Sequence, residues 1–209
     1  YNHIAKIVKV SKSTLAVWLG NIPYKPNSET IERIGKARAA SGEAKSRVKR
    51  ESFLHAKAEA NTEIQSVSQR DLFMLGLGLY IGEGAKSSVS SSFVYSNPAI
   101  MILIMRWFIE AIGLSKEQIR MRLHLYPDTD EVSSLRFWSD ATGIPRTQFF
   151  KSVIDRRKDK KVIKNGKLPH GTAHMTIKSL GEKRFGVFLA RKILAWSDIV
   201  LGIENAGLV

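Results

Sequence analysis

DLFMLGLGLYIGEGAK, residues 71 to 86, is the stretch from which the rest of this chain is read. The run from Leu72 to Ile81 is almost wholly apolar and stops in Gly82-Glu83-Gly84, so a carboxylate stands between two glycines where a helix should end. The C-terminal end of a helix carries negative potential, which disfavours an acid and welcomes a cation. Glu83 is therefore read as part of a cation site rather than as a surface charge. Gly78 and Gly82 lie four apart on one helical face, and small residues at that spacing let two helix backbones approach closely. Two copies of the helix packed through that face would bring two Glu83 carboxylates together. Such a pair repels unless a divalent cation lies between, and oxygen-only ligation suits magnesium or calcium. The run is too short to cross a bilayer, which takes about 20 residues. The same residues would also serve as a plain core helix, and the order of the following elements weighs between the two.

GLGLYIGEG, residues 76 to 84, resembles the signature helix of the LAGLIDADG homing endonucleases. The resemblance places Gly78 and Gly82 at the small packing positions, Glu83 at the metal-binding acid and Gly84 at the terminator. In that family two such helices form the domain or subunit interface, and the two acids bind the metals that hydrolyse DNA. This chain departs from the pattern at Ile81, where the family usually has aspartate, and at Leu77, which replaces a small residue. Ile81 is not the metal ligand, so its departure bears on helix capping more than on chemistry.

A chain of 209 residues with 44% hydrophobic content can bury a sizeable core, in one large domain or two small ones. Its formal net charge of +14 and isoelectric point near 10.1 point to a nucleic-acid partner. An anionic membrane surface is the rival, but the sequence carries no lipidation signal and no anchoring segment. The absence of cysteine excludes disulfides, thiolate metal sites and a cysteine nucleophile. No signal peptide is visible, which implies a cytoplasmic location, and a start at Tyr1 rather than methionine implies missing upstream residues.

Residues 1 to 20 read as two short helices around a turn at Lys9-Val10-Ser11. Ile4, Ala5 and Val8 give the first an apolar face, Ser11 is an N-cap, and Leu15, Trp18 and Leu19 line the second, with Trp18 expected in the core. The pattern resembles a helix-turn-helix of the kind found in transcription regulators and resolvases, with Lys9 where glycine is commoner. The resemblance nominates Lys12, Ser13, Thr14 and Val17 for the major groove. Residues 21 to 68 form a linker, with Pro23 and Pro26, and then a helical segment rich in Ala, Glu, Lys and Arg, with a thin buried stripe and a break near Ser41-Gly42. Lys45, Arg47, Lys49 and Arg50 would suit a DNA backbone or a solvated helix face.

Residues 69 to 209 form the third segment. After the glycine-rich helix come a strand within Ser87 to Ser96 and a greasy helix from Ala99 to Ile112 that closes at Gly113. Gln118 to Tyr126 is the clearest strand: Ile119, Met121, Leu123 and Leu125 point one way, and Arg120, Arg122 and His124 the other. Thr172 to Lys178 repeats the pattern, with Ala173, Met175 and Ile177 opposite His174, Thr176 and Lys178. Between them lie a helix from Asp130 to Ala141, a strand-like stretch from Gln148 to Ile154, and a basic excursion with an Asn165-Gly166 turn. A final helix covers Gly181 to Val200, with Phe185, Phe188, Leu189, Ile193 and Leu194 on its packing side.

The expected fold class is α+β. Setting aside one inserted helix, the order is the αββαββα of a LAGLIDADG half, whose curved sheet forms a saddle over DNA. The resemblance covers residues 69 to 200, of which the nonamer is the specific part. One motif copy implies a homodimer through Gly78 and Gly82, bound to double-stranded DNA. The resemblance makes Glu83 the ligand of Mg2+ or Mn2+ and implies site-specific phosphodiester hydrolysis, with Lys178, His124 and His174 as catalytic candidates on the sheet floor. Arg120 and Arg122 are expected to reach base edges, and Lys151, Arg156, Arg157, Lys158, Lys160 and Lys161 to hold phosphates. Asp128, Asp130 and Glu131 read better as helix-start residues than as metal ligands. The alternative function is a non-cleaving, sequence-specific transcriptional regulator on the same scaffold. No zinc site, Walker loop or nucleophile triad is present.

Overall fold

Strict alternation along IRMRLHL and TAHMTI gives each strand one apolar and one polar face, and this alternation organises the larger part of the protein. The computed structural model describes residues 1–23, 28–155 and 168–203 and divides into two compact units, Tyr1–Gln65 and Ser66–Val209.

The first unit contains α1 (Asn2–Val8), α2 (Lys12–Leu19) and α3 (Ser28–Ile64). Lys9 takes the left-handed conformation, φ 52°, that explains why glycine is favoured there. Ser11 caps α2 by accepting from the Thr14 N–H at 3.0 Å. Leu15 is buried, but Ile4, Val8 and Trp18 are exposed, contrary to expectation, Trp18 at 61%. Two helices of this length share one narrow seam, and Leu15 fills it. Helix α3 also corrects the sequence reading: it runs unbroken through Ser41-Gly42 and none of its 37 residues is buried. One interior glycine costs only about 1 kcal/mol, which strong helix-forming neighbours offset. Ion pairs one turn apart, such as Glu32–Lys36 at 2.6 Å, add local support.

The second unit opens with α4 (Gln69–Glu83), started by a reciprocal capping box in which Ser68 and Asp71 bond each other's backbone N–H. Then come β1 (Ser92–Tyr95), α5 (Pro98–Arg106), β2 (Ile119–Leu125), α6 (Glu131–Thr142), β3 (Val153–Ile154), β4 (Thr172–Ile177) and α7 (Val187–Leu201). The order of helices and strands is the expected one, and the class is α+β. The first and third strands are shorter than expected, since Ser87 to Ser91 and Phe149 to Ser152 lie outside regular strand. The greasy helix ends as a wide turn from Trp107 to Ala111 before Gly113, φ 89°. Asp130 caps α6 through the N–H groups of Val132 and Ser133, as its position predicted.

The sheet runs β1-β4-β2-β3, with β4 antiparallel to both neighbours and β3 parallel to β2. Its inner face, Phe93, Ile119, Met121, Leu123, Ala173 and Met175, is buried against Leu77 and Tyr80 of α4, Met101 and Ile104 of α5, and Trp107, Trp138 and Ile193. The last helix starts at Val187 and not at Gly181, because Gly186 breaks it from a short turn at Lys183–Phe185; Phe185, Leu189 and Ile193 pack inward, whereas Phe188 is 60% exposed and belongs to the opposite side of α7. Among the described residues, no helix is long and apolar enough to cross a membrane.

Candidate nucleic-acid interface

The end of α4 is tied to the sheet by backbone and side chain together. Gly84 pairs with Phe93 in a short antiparallel bridge, and the Ala85 N–H donates to the Ser92 carbonyl at 3.0 Å. The buried Tyr80 accepts from the Ser92 N–H through its hydroxyl at 3.3 Å, and burial raises the pKa of that phenol. The Lys86 ammonium turns back onto the helix end and donates to the carbonyls of Tyr80, Ile81 and Gly84 at 3.1, 2.5 and 3.1 Å. The cation that a helix C-terminus favours is thus supplied by the chain itself. Glu83 is exposed beside it and forms no ion pair with a described residue.

The glycines of α4 separate into two roles. A Cβ on Gly76 would lie 2.1 Å from the buried Trp107 ring, so Gly76 is what lets α4 sit on the core. Gly78 and Gly82 face outward, and among the described residues nothing beyond their own helix lies within 4 Å of the position a Cβ would take. Met74 and Leu75 are exposed nearby on the same helix, at 37% and 49%. The sequence reading named the two outward glycines and passed over Gly76.

The outer face of the sheet gathers the polar residues that alternation placed there. The register sets Arg122 beside His174 and Arg120 beside Thr176, with Ser92 on the other side of Thr176. The imidazoles of His124 and His174 stack at 3.7 Å with 16° between their planes. Burial pushes the His174 pKa down to about 4, helped by His124 and Arg122. His124 is lowered by burial and by Arg122, with Asp155 opposing. Both rings are therefore neutral at pH 7, a state that can accept or donate a proton but adds no charge.

Phe150 completes this surface. Its N–H donates to the Met121 carbonyl at 2.7 Å, which fixes its backbone against β2, and its ring lies under two cations, Arg122 at 5.3 Å and Lys178 at 5.9 Å. Arg122, Phe150, His174, Thr176 and Lys178 line an open hollow of about 190 Å³. Lys178 lies at the same end of the sheet as the α4 terminus, since the neighbouring Ile177 N–H bonds to Ser91 and Thr176 pairs with Ser92. Glu83 and the hollow are thus connected through the single strand β1.

Of the expected site residues, Arg122, His124, His174 and Lys178 are brought together on this face. Arg120 differs: its Nη1 donates to the carbonyls of Glu117 and Ile119 at 2.6 and 3.0 Å, which ties one arm of the guanidinium to its own backbone. Lys151 is exposed immediately after Phe150. Lys12, Ser13 and Val17 are exposed on α2 and Thr14 is half-buried, its hydroxyl held by Ser11. Arg156, Arg157, Lys158, Lys160 and Lys161 lie outside the described residues. Phe150 was missed from sequence, although an aromatic beside a basic residue was the available signal. No group of three or more metal-ligating side chains occurs among the described residues, so Glu83 belongs to no such cluster within one chain. A hard divalent cation there would need a second carboxylate, as a second copy of α4 would bring. Comparisons with protein-family models, curated proteins and solved structures found no match to this chain.

Proposed function

We propose that the protein binds double-stranded DNA on the outer face of its sheet and, as a homodimer paired through α4, cleaves it at specific sites in the manner of a LAGLIDADG endonuclease. The observation that carries the reading is the placement of an acid, Glu83, with no ion-pair partner among the described residues, at the end of a helix fastened to the same end of the sheet as Lys178 and its hollow. The net charge of +14 supports DNA as the partner. Gly78 and Gly82, bare and outward, support the pairing of two α4 helices, which would bring two Glu83 carboxylates together. Magnesium or manganese held by those carboxylates would supply Lewis acidity at a phosphate. Arg122 and Lys178 would hold the DNA strand, and His174, neutral at pH 7, would orient a water by hydrogen bonding. Lys12, Ser13, Thr14 and Val17 of the first unit would add a major-groove contact.

A second reading, a regulator that binds DNA without cutting, is favoured by one feature. The Lys86 ammonium takes the carbonyls of Tyr80, Ile81 and Gly84 and so places a cation of the chain's own where a metal would otherwise draw on the helix end. The deciding experiment is incubation of a randomised duplex library with magnesium or manganese, comparing the protein with Glu83→Gln. Recurrent double-strand cuts that vanish in the variant establish the endonuclease. Equal binding by both proteins with no cuts under either metal establishes the regulator, and absence of DNA binding by the parent protein defeats both.

A further inference from the structure

We infer that Phe150 is a positioning residue whose ring seats Arg122 and Lys178 as a clamp for a single backbone phosphate of the bound DNA strand. The inference rests on the sheet-face reading above for the identity of the anion, while the clamp itself is read from side-chain geometry. Arg122 lies in β2 and Lys178 directly follows β4, and each cation stands over the same ring, at 5.3 and 5.9 Å. Neither side chain forms an ion pair or a hydrogen bond with a described residue. Two such side chains, exposed and repelling each other, would ordinarily spread into solvent. The negative face of an aromatic ring attracts both and fixes the space between them.

The surroundings fit one tetrahedral anion. Thr176 offers a hydroxyl with no hydrogen bond to a described residue, and His174 offers an imidazole fixed by its stack on His124. Among the described residues, no acidic side chain lines the hollow of about 190 Å³. Phe150 keeps its place because its N–H is bonded to Met121 and the adjacent Phe149 bridges to the same strand. A free phosphate offers the same chemistry as a phosphodiester, so the test must separate the two sources.

The test uses the full chain and the variants Phe150→Leu, Phe150→Tyr, Arg122→Ala, Lys178→Ala and the Arg122→Ala/Lys178→Ala pair, with thermal unfolding as a check on folding. Phe150 is 38% exposed, so its substitution spares the core. Duplex affinity is measured by fluorescence anisotropy over a range of salt, and the His174 ring resonances are followed by NMR during titration with inorganic phosphate. Phe150→Leu should weaken duplex binding about tenfold and flatten the salt slope by about 1, as for the loss of one phosphate contact, although the protein's charge is unchanged. Phe150→Tyr should restore both. In the background lacking both cations, Phe150→Leu should add nothing. An unchanged affinity and slope in Phe150→Leu, or an equal loss in the background lacking both cations, would overturn the clamp while DNA binding stands. Should phosphate shift the His174 resonances in the parent and not in Phe150→Leu, with no duplex bound, the DNA source is overturned and the clamp belongs to a free phosphate.

Discussion

Replacing Gly76 with alanine places a Cβ 2.1 Å from Trp107 Cγ, 2.3 Å from its Cδ1 and 2.6 Å from its Cβ. Carbon atoms in contact prefer about 3.5 Å, so the ring must retreat by more than about 1 Å. It has nowhere to go: Trp107 is fully buried, with Phe108 at 4.8 Å and Tyr80 at 5.8 Å between ring centres. Overpacking of this kind costs about 1–3 kcal/mol, and a clash this short belongs at the upper end. The helix itself gains about 1 kcal/mol from exchanging glycine for alanine. The net loss is therefore about 2 kcal/mol, a fall in Tm of about 6 °C for a unit of this size. Gly78→Ala and Gly82→Ala supply the internal control, since among the described residues neither new methyl meets anything beyond its own helix within 4 Å. Each should stabilise the monomer by up to about 1 kcal/mol. Urea and thermal unfolding, followed by tryptophan fluorescence over a concentration series, measure all three. Sedimentation then asks whether the two outward variants weaken self-association as they stabilise the monomer. A Gly76→Ala protein as stable as the parent, or a Gly78→Ala protein that falls equally far, would refute the division of the glycines into inner and outer sets.

Three further outcomes are expected. Because the folded pKa of His174 lies near 4, below its ordinary 6.5, the unfolded chain takes up the proton first. Stability is then full above pH 6.5 and is lost as pH falls towards 4. His174→Gln should flatten that loss in urea midpoints between pH 7.5 and 4.5, and parallel curves for the two proteins would contradict the assignment. Gly171→Ala forces a Cβ within 2.4 Å of the His124 carbonyl at φ 64°. It should cost about 3 kcal/mol from clash and left-handed strain together, read as a lower urea midpoint and a shifted His124 ring resonance. Ser68→Ala removes the cap of α4 at a cost of about 1 kcal/mol. The Asp71 carboxyl, held below its usual pKa by its bonds to Ser68, should move back up in an NMR titration.

Alternation made the central sheet legible before any coordinate. Ile119, Met121, Leu123 and Leu125 face inward with Ala173, Met175 and Ile177, as the shared period of two requires, while the pairing of Met121 with Met175 is seen only in the folded sheet. The acid at the end of α4 was legible for a similar reason, since glycines on both sides mark a helix end. Phe150 was not, because it lies outside regular strand and owes its place to one hydrogen bond to Met121. Gly76 was hidden because its partner, Trp107, is 31 residues away in sequence and meets it only once α5 has folded back. Trp18 and Phe188 show the reverse error. Helical spacing says which residues share a face, and only a neighbouring element says whether that face is covered.

The Lys86 ammonium on the end of α4 has a practical consequence. A helix terminus that borrowed its counter-charge from dissolved ions would loosen under a chelator, and its melting curve would report the presence of metal. Here the counter-charge is covalently attached, so chelation should leave this terminus intact. A metal held by Glu83 would then raise the melting temperature through its own binding and not by completing the helix end.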